Sequence, residues 1–520
     1  MIGTAALRLL RLTSCLSFTV ACLGASTTNA SLTQLRHGIA ETLQSSTGGQ
    51  GWWGISAVCM DNGLKVFATN ESHHFTPAST TKLFTVALAL NRLGGDYRIR
   101  TSVVTSGLPD EHGRVHGDVA IVGRGDPTMS LRFNSGNGTS ADTSLVTAIK
   151  RAGIKSVVGK LIFDGSWLKA SQYGSGWEWD DFVEGYSAPV SAFTINDNAC
   201  RLLVSAGEHS GDPARASWQP LNPLLTFDFQ VTTLAAKGQH AAIEYRRMPG
   251  TSHLQVRGTI PIGSANWFAD IACAEPATWY SQLLRTELET NGITIAETNR
   301  IVGSYEDSPL NHGHWNEIAS VSSPPVSDIA TLTLKPSQNL YAQLLLLHVG
   351  EHSLKQVTGG GFQAPVDQET AGIKELNRWL STLGVAASDV SLEEGSGLSR
   401  RNAVTPRAVV TLLRHMATNQ WSESWMKSLP IGGVDGTLQN RFTEGPARSR
   451  VHAKTGSLRG VQALGGYVTT AAGQPIAFAI YANQFTPTET AAARRTIDQI
   501  VGQLAACNIR LEEVLAPAKN

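Results

Sequence analysis

Two short apolar runs, at 54–60 and 64–69, flank Asp61-Asn62-Gly63. Asn-Gly between strand-like runs supplies the turn that a two-stranded antiparallel pair needs, so this pattern predicts a hairpin. Pro77-Ala78-Ser79 follows, and the stretch from Thr80 to Leu93 is apolar nearly all round before Gly94-Gly95 closes it. Such a stretch predicts a buried helix with no solvent face. At the other end, the runs 462–470 and 475–482 predict a second hairpin, and an Ala-rich amphipathic pattern from Glu489 to about Cys507 predicts a helix. One α/β unit is therefore expected to be assembled from both ends of the chain.

The middle of the chain, 99–304, has a different texture. Short strand-like runs at 118–122, 156–163, 241–245 and 253–256 are broken by Gly, Pro and Asn, which predicts one or two β-rich inserted modules. The division expected from pattern is 1–30, then 31–98 joined with 305–520, with 99–304 inserted between them.

Composition removes several classes. The 42 Lys+Arg balance 42 Asp+Glu, and hydrophobic residues make up 42%. That argues against disorder, and the zero net charge leaves no basic footprint for nucleic acid. Residues 1–30 read as a signal peptide: Arg8 and Arg11 precede an apolar stretch ending near Thr28-Asn29-Ala30, a small-residue cleavage pattern. The stretch is too short for a stable membrane span, and no other run is long enough, so a periplasmic protein without a transmembrane anchor is expected. Four cysteines remain after cleavage (Cys59, Cys200, Cys273 and Cys507), which permit three disulfide pairings or none. The 14 histidines show no metal-ligand spacing, so neither metal nor cofactor is expected.

Three short motifs carry candidate chemistry. SxxK occurs at Ser79, Ser166 and Ser424, but only Ser79-Thr80-Thr81-Lys82 opens a long buried helix. There the i, i+3 spacing puts Ser79 and Lys82 on one face, beside the amide donors of a helix N-terminus. Taken alone, Ser79 reads better as a helix cap. SxN occurs at Ser135, Ser264 and Ser337, and Ser337-Gln338-Asn339 again starts an apolar helix. Lys454-Thr455-Gly456 occurs once, just before the C-terminal hairpin. In this order the three form the penicillin-recognising serine set. A serine nucleophile needs a base, and Lys82 can serve if burial or a second cation such as Lys454 keeps it neutral. The charge of Lys454, with the Thr455 hydroxyl, suits a substrate carboxylate.

Around these motifs the chain resembles the D-alanyl-D-alanine carboxypeptidase/endopeptidase family, the class C low-molecular-weight penicillin-binding proteins. The resemblance extends to Gly125-Asp126-Pro127-Thr128, Gly176-Trp177-Glu178-Trp179-Asp180-Asp181, Tyr186-Ser187-Ala188-Pro189, Gly395-Ser396-Gly397-Leu398-Ser399-Arg400 and Gly433-Val434-Asp435-Gly436-Thr437-Leu438. It implies a transpeptidase/β-lactamase-like α/β fold, an antiparallel sheet flanked by helices, with inserted domains between the first two motifs. It implies Ser79 as acylated nucleophile, Lys82 as its base and Ser337 as proton relay. Asn339 would hold the substrate amide, Lys454 and Thr455 the terminal carboxylate, and the backbone N–H groups of Ser79 and Ser457 the oxyanion. Arg400 matches an arginine that meets a diaminopimelate side chain, with Asp181 as an acidic partner from the insertion.

The chain departs from the family at Gln338 and Glu394, where Asp is usual. The implied activity is removal of terminal D-alanine from peptidoglycan peptides, with D,D-endopeptidase activity left open and β-lactams acylating the same serine. A β-lactamase of the same superfamily fits the long stretch between Ser79 and Ser337 less well. A non-enzymatic wall-binding protein fits three intact motifs less well.

Overall fold

A computed structural model describes residues 31–46, 51–130, 132–133, 143–235, 240–248, 250–358 and 367–511. The predicted signal segment and its cleavage site lie outside the described residues. The first hairpin forms as expected, from β1 (Trp52–Cys59) and β2 (Lys65–Thr69), with Gly63 at φ +73° in the turn. Near the C-terminus come β3 (Val451–Leu458), β4 (Val461–Thr469) and β5 (Pro475–Asn483). All neighbours are antiparallel in the order β3-β4-β5-β1-β2, so the first and last parts of the chain share one sheet.

Alternation along β5 shows how the sheet is covered. Ile476, Phe478 and Ile480 point into one core with Leu32 and Ile39 of the N-terminal helix and with Ile497 and Leu504 of the C-terminal helix Thr490–Ala506. Ala477, Ala479 and Tyr481 point into the other core. That second core holds α1 (Thr81–Arg92), α2 (Asn339–Thr358) and α3 (Gln368–Thr382). A strand with period two must have both faces covered to be this apolar, and here helices cover both. Helix α1 is buried at every position from Thr81 to Leu90, as its all-round apolar pattern requires. The fold is thus a three-layer α/β unit.

The insertion consists of two nested parts. The larger has a five-stranded mixed sheet, in the order Arg300–Val302, Leu161–Asp164, Val119–Val122, Arg100–Thr105, Asn316–Ser322. Asn316–Ser322 pairs antiparallel with Arg100–Thr105, so hydrogen bonding carries this sheet past residue 304. Two helices, Thr143–Arg151 and Pro276–Thr290, share its core, including Ile149, Phe163 and Leu284. Inside this part sits a smaller module of two three-stranded sheets between Ala199 and Ala272. The run 156–163 is not one strand: Ser156–Val157 and Leu161–Asp164 belong to different sheets.

The four cysteines Cys59, Cys200, Cys273 and Cys507 are free and buried. Among the described residues no helix is long and apolar enough to cross a membrane, and no group of side chains could hold a metal ion.

Candidate active site

Ser79 lies in a single 3-10 turn, Ala78–Thr80, that runs directly into α1. Ala78 is buried and held at φ +47°, a conformation that costs a non-glycine residue about 1–3 kcal/mol and persists only where its surroundings impose it. One imposing contact is β3. A Cβ at Gly456 would lie 2.6 Å from the Pro77 carbonyl and 3.2 Å from the Ala78 Cβ, so only glycine lets the strand press against the Ser79 turn. The last residue of the Lys454-Thr455-Gly456 motif is therefore packed on the segment just before Ser79. On its outer side β3 is the edge of the sheet.

Lys82, the second residue of α1 and one turn beyond Ser79, is completely buried, and its Nζ donates to three acceptors. These are Ser79 Oγ at 2.9 Å, Asn339 Oδ1 at 2.5 Å and the Ser396 carbonyl at 2.6 Å. Burial disfavours the charged form and lowers its pKa to about 7, while the Glu394 carboxylate pulls it back up. Lys454 is also fully buried and donates to the Thr455 carbonyl at 2.9 Å. Its pKa is driven well below the ordinary lysine value, first by burial and then by the charge of Lys82. Ser79 itself is half-buried.

Asn339 links two parts of the chain. While its Oδ1 accepts from Lys82, its Nδ2 donates to the Tyr186 carbonyl of the inserted segment at 2.7 Å. Ser337, two residues earlier, is half-buried at φ +68° and is not among the three partners of Lys82. The Thr455 hydroxyl donates to the Thr437 hydroxyl at 2.8 Å, and Ser457 is exposed, its Oγ accepting from Gln462 Nε2 at 2.6 Å. Arg400 donates from Nε to both carboxylate oxygens of Glu178, at 3.1 and 3.2 Å, and from Nη1 to the Arg459 carbonyl at 3.0 Å. Asp181 is not the hydrogen-bonded partner of Arg400; it accepts from the Tyr186 hydroxyl at 2.6 Å. Burial raises the pKa of Asp181, and Asp180 and Glu178 nearby push it the same way.

Glu394, noted in the sequence only as a departure from the family's usual Asp, emerges as a structural centre. Its buried carboxylate accepts from the amides of Ser396 (2.7 Å) and Gly397 (2.6 Å), and from the side chains of Ser396 (2.5 Å), Asn402 (2.7 Å) and Trp177 (3.2 Å). Five donors on one carboxylate fix the loop that aims the Ser396 carbonyl at Lys82. Gly397, at φ +89°, passes so close that a Cβ there would meet the Ala78 carbonyl at 2.0 Å. The other unread participants are Glu178, Thr437 and the backbone carbonyls of Ser396 and Tyr186. Each lies in a family-matching stretch, yet no spacing rule assigns a role to a backbone carbonyl.

The D-Ala-D-Ala carboxypeptidase 3 (S13) family profile matches residues 35–507. A D-alanyl-D-alanine carboxypeptidase of an Actinomadura species is 31% identical over 472 residues, covering 88% of this chain and 82% of the relative. The chain belongs to the D-Ala-D-Ala carboxypeptidase 3 (S13) family. As a member of this family it is a serine hydrolase. A second relative, D-alanyl-D-alanine carboxypeptidase DacB of Haemophilus influenzae, is 25% identical over 419 residues, 80% of this chain and 82% of that one. Among solved structures, penicillin binding protein 4 of H. influenzae superimposes with a TM-score of 0.75 at 24% identity, over 90% of this chain and 98% of that chain. The same protein complexed with a β-lactam superimposes at 0.69. This places the chain in the transpeptidase/β-lactamase-like fold with insertions.

Proposed function

We propose that the protein is an exported D-Ala-D-Ala carboxypeptidase that works on peptidoglycan stem peptides through a Ser79 acyl-enzyme, and that β-lactams acylate the same serine. The observation that carries this reading is the buried Lys82 ammonium, held near neutrality, 2.9 Å from the half-buried Ser79 hydroxyl. With Lys82 neutral, its Nζ takes the Ser79 proton as Oγ attacks the carbonyl of the penultimate D-alanine. The amides of Ser79 and Ser457 receive the oxyanion, while Lys454 and Thr455 bind the terminal carboxylate. A carboxylate arriving beside Lys454 restores the stability of its charged form, so binding and the protonation of Lys454 are coupled. Ser337 relays the proton to the leaving amine, and Asn339 holds the substrate amide. Water then resolves the ester.

Segment 430–432 bridges the start of the outer edge of β3, and the edge beyond Ala453 lets an extended peptide add as a further strand, with main-chain hydrogen bonds supplying affinity. Arg400, paired with Glu178, and the half-buried Asp181 form the rim that meets the free end of the stem peptide's side chain. In this reading residues 1–30 direct export to the periplasm, 31–98 with 305–520 form the catalytic unit, and 99–304 supplies the acidic side of the rim. Replacing Ser79 with Ala is expected to abolish both D-alanine release from a D-alanyl-D-alanine tripeptide and covalent labelling by a fluorescent penicillin. Persistence of either overturns the assignment.

A further inference from the structure

The stretch from Gly433 to Leu438 carries none of the three motifs, yet it stands between two of them in space. Just upstream, the Pro430 carbonyl accepts from the Ala453 amide at 3.0 Å and the Gly432 amide donates to the Val451 carbonyl at 2.9 Å, which fastens the segment to the start of β3. The chain then turns, and the 3-10 turn Gly436–Leu438 places the half-buried Thr437 against Thr455, hydroxyl to hydroxyl at 2.8 Å.

The same turn is tied to the second motif. Thr437 donates its amide to the carbonyl of Lys335, two residues before Ser337, at 3.0 Å. The Lys335 side chain returns the contact: its Nζ donates to Asp435 Oδ2 at 2.5 Å and to the Leu429 carbonyl at 3.0 Å. Asp435 Oδ1 meanwhile accepts from the Ile431 amide at 2.9 Å. The two charged side chains are only 19% and 35% exposed, so this pair holds its geometry better than a fully solvated one. One ion pair thus sets where Thr437 stands, relative both to the segment carrying Ser337 and to β3.

A hydroxyl has one proton to give and two lone pairs that accept. The Thr455 proton is committed to Thr437. To bind a carboxylate, Thr455 must turn that proton toward the carboxylate oxygen, and its own oxygen can then accept. Thr437 is within reach to supply that bond by rotating its hydroxyl. A hydroxyl that accepts a hydrogen bond is a stronger donor, because chained hydrogen bonds polarise one another.

We propose that Thr437 is a positioning residue for carboxylate binding by Thr455, and that the Lys335–Asp435 pair holds it in place. The proposal rests on the function proposed above, in which Thr455 meets the terminal carboxylate. That contact exists in the bound substrate and in the transition state alike, so weakening it loosens binding without slowing the chemistry.

The test measures kcat and KM for a D-alanyl-D-alanine tripeptide in wild type, Thr437→Val, Thr437→Ala, Thr437→Ser and Asp435→Asn, and in the Asp435→Asn, Thr437→Val double variant. The final extent of penicillin labelling is the control for an intact site. Removing the hydroxyl is expected to raise KM about fivefold in the Val and Ala variants with kcat unchanged, and the Ser variant to keep the wild-type KM. Asp435→Asn should raise KM by itself and add nothing to Thr437→Val, since both act through one hydroxyl. An unchanged KM in the Val and Ala variants overturns the proposal, as does a fall in kcat in both, or a KM that is raised equally in Thr437→Ser. Additive effects in the double variant overturn the part assigned to the ion pair. Failure of the wild type to hydrolyse the tripeptide or to bind penicillin overturns the function on which the proposal rests.

Discussion

The floor and the rim of the site are built in opposite ways. In the floor, α1 has no solvent-facing side chain between Thr81 and Leu90, and two lysines are completely buried. In the rim, the short 3-10 helix Trp179–Val183 has no buried residue, Trp179 is 70% exposed, and the Arg400–Glu178 pair is half in water. The floor drives both lysine pKa values down because water is excluded, whereas the rim is largely open to water. Chemistry is therefore expected to respond steeply to changes in the floor, and selectivity to changes in the rim.

The largest expected effect is from Lys82→Met. Loss of the base should slow acylation by a penicillin at least about 10³-fold, measured by stopped-flow. Thermal stability should hold or rise, because an apolar side chain replaces a buried ammonium. Acylation at the wild-type rate would break the contrast outright.

Gly456→Val comes next. Its Cβ would meet the Pro77 carbonyl at 2.6 Å, so the nucleophile turn must shift, and labelling should fall about 10²-fold.

The pH dependence sharpens the comparison further. In the proposed mechanism acylation requires neutral Lys82, so its rate constant should rise with pH, level off above about 7, and fall about tenfold per unit on the acid side. Glu394 raises the Lys82 pKa, so Glu394→Gln should move that midpoint to lower pH. The same variant loses charge-assisted bonds from five donors and should cost about 1–3 kcal/mol in chemical denaturation. A midpoint unmoved in Glu394→Gln would separate the loop from the tuning of Lys82. The smallest effect belongs to the rim: Glu178→Gln should change stability by less than about 1 kcal/mol, since exposed ion pairs contribute little.

What could be read in the sequence divides along the same line. The hairpins, α1 and the three motifs were legible because burial on one or both faces writes itself into apolar periodicity. The arrangement around Glu394 was not, because its partners are backbone amides and loop side chains whose meeting depends on the whole fold. In the insertion, Thr143–Arg151 and Pro276–Thr290 escaped a reading dominated by short strand-like runs, although Pro276 at a helix start was an available signal. The run 156–163 was read as one strand because its apolar residues are nearly continuous. Gly159 marks the break: a Cβ there would meet the Asp118 carboxylate at 2.3 Å as the chain crosses between sheets. Arg400 hydrogen-bonds the exposed Glu178 while the half-buried Asp181 accepts from Tyr186, and spacing carries no record of which neighbouring acid takes which partner.

The pairing of β1 with β5 has a consequence for the life of the chain. Ser79 and Lys82 leave the ribosome early, but the strands that complete their sheet are among the last segments made. A contact closed over such a sequence distance forms late and slowly. In the proposed mechanism the nascent chain therefore carries an unarmed Ser79 through synthesis, and gains its reactivity only once its C-terminal segments have folded into place.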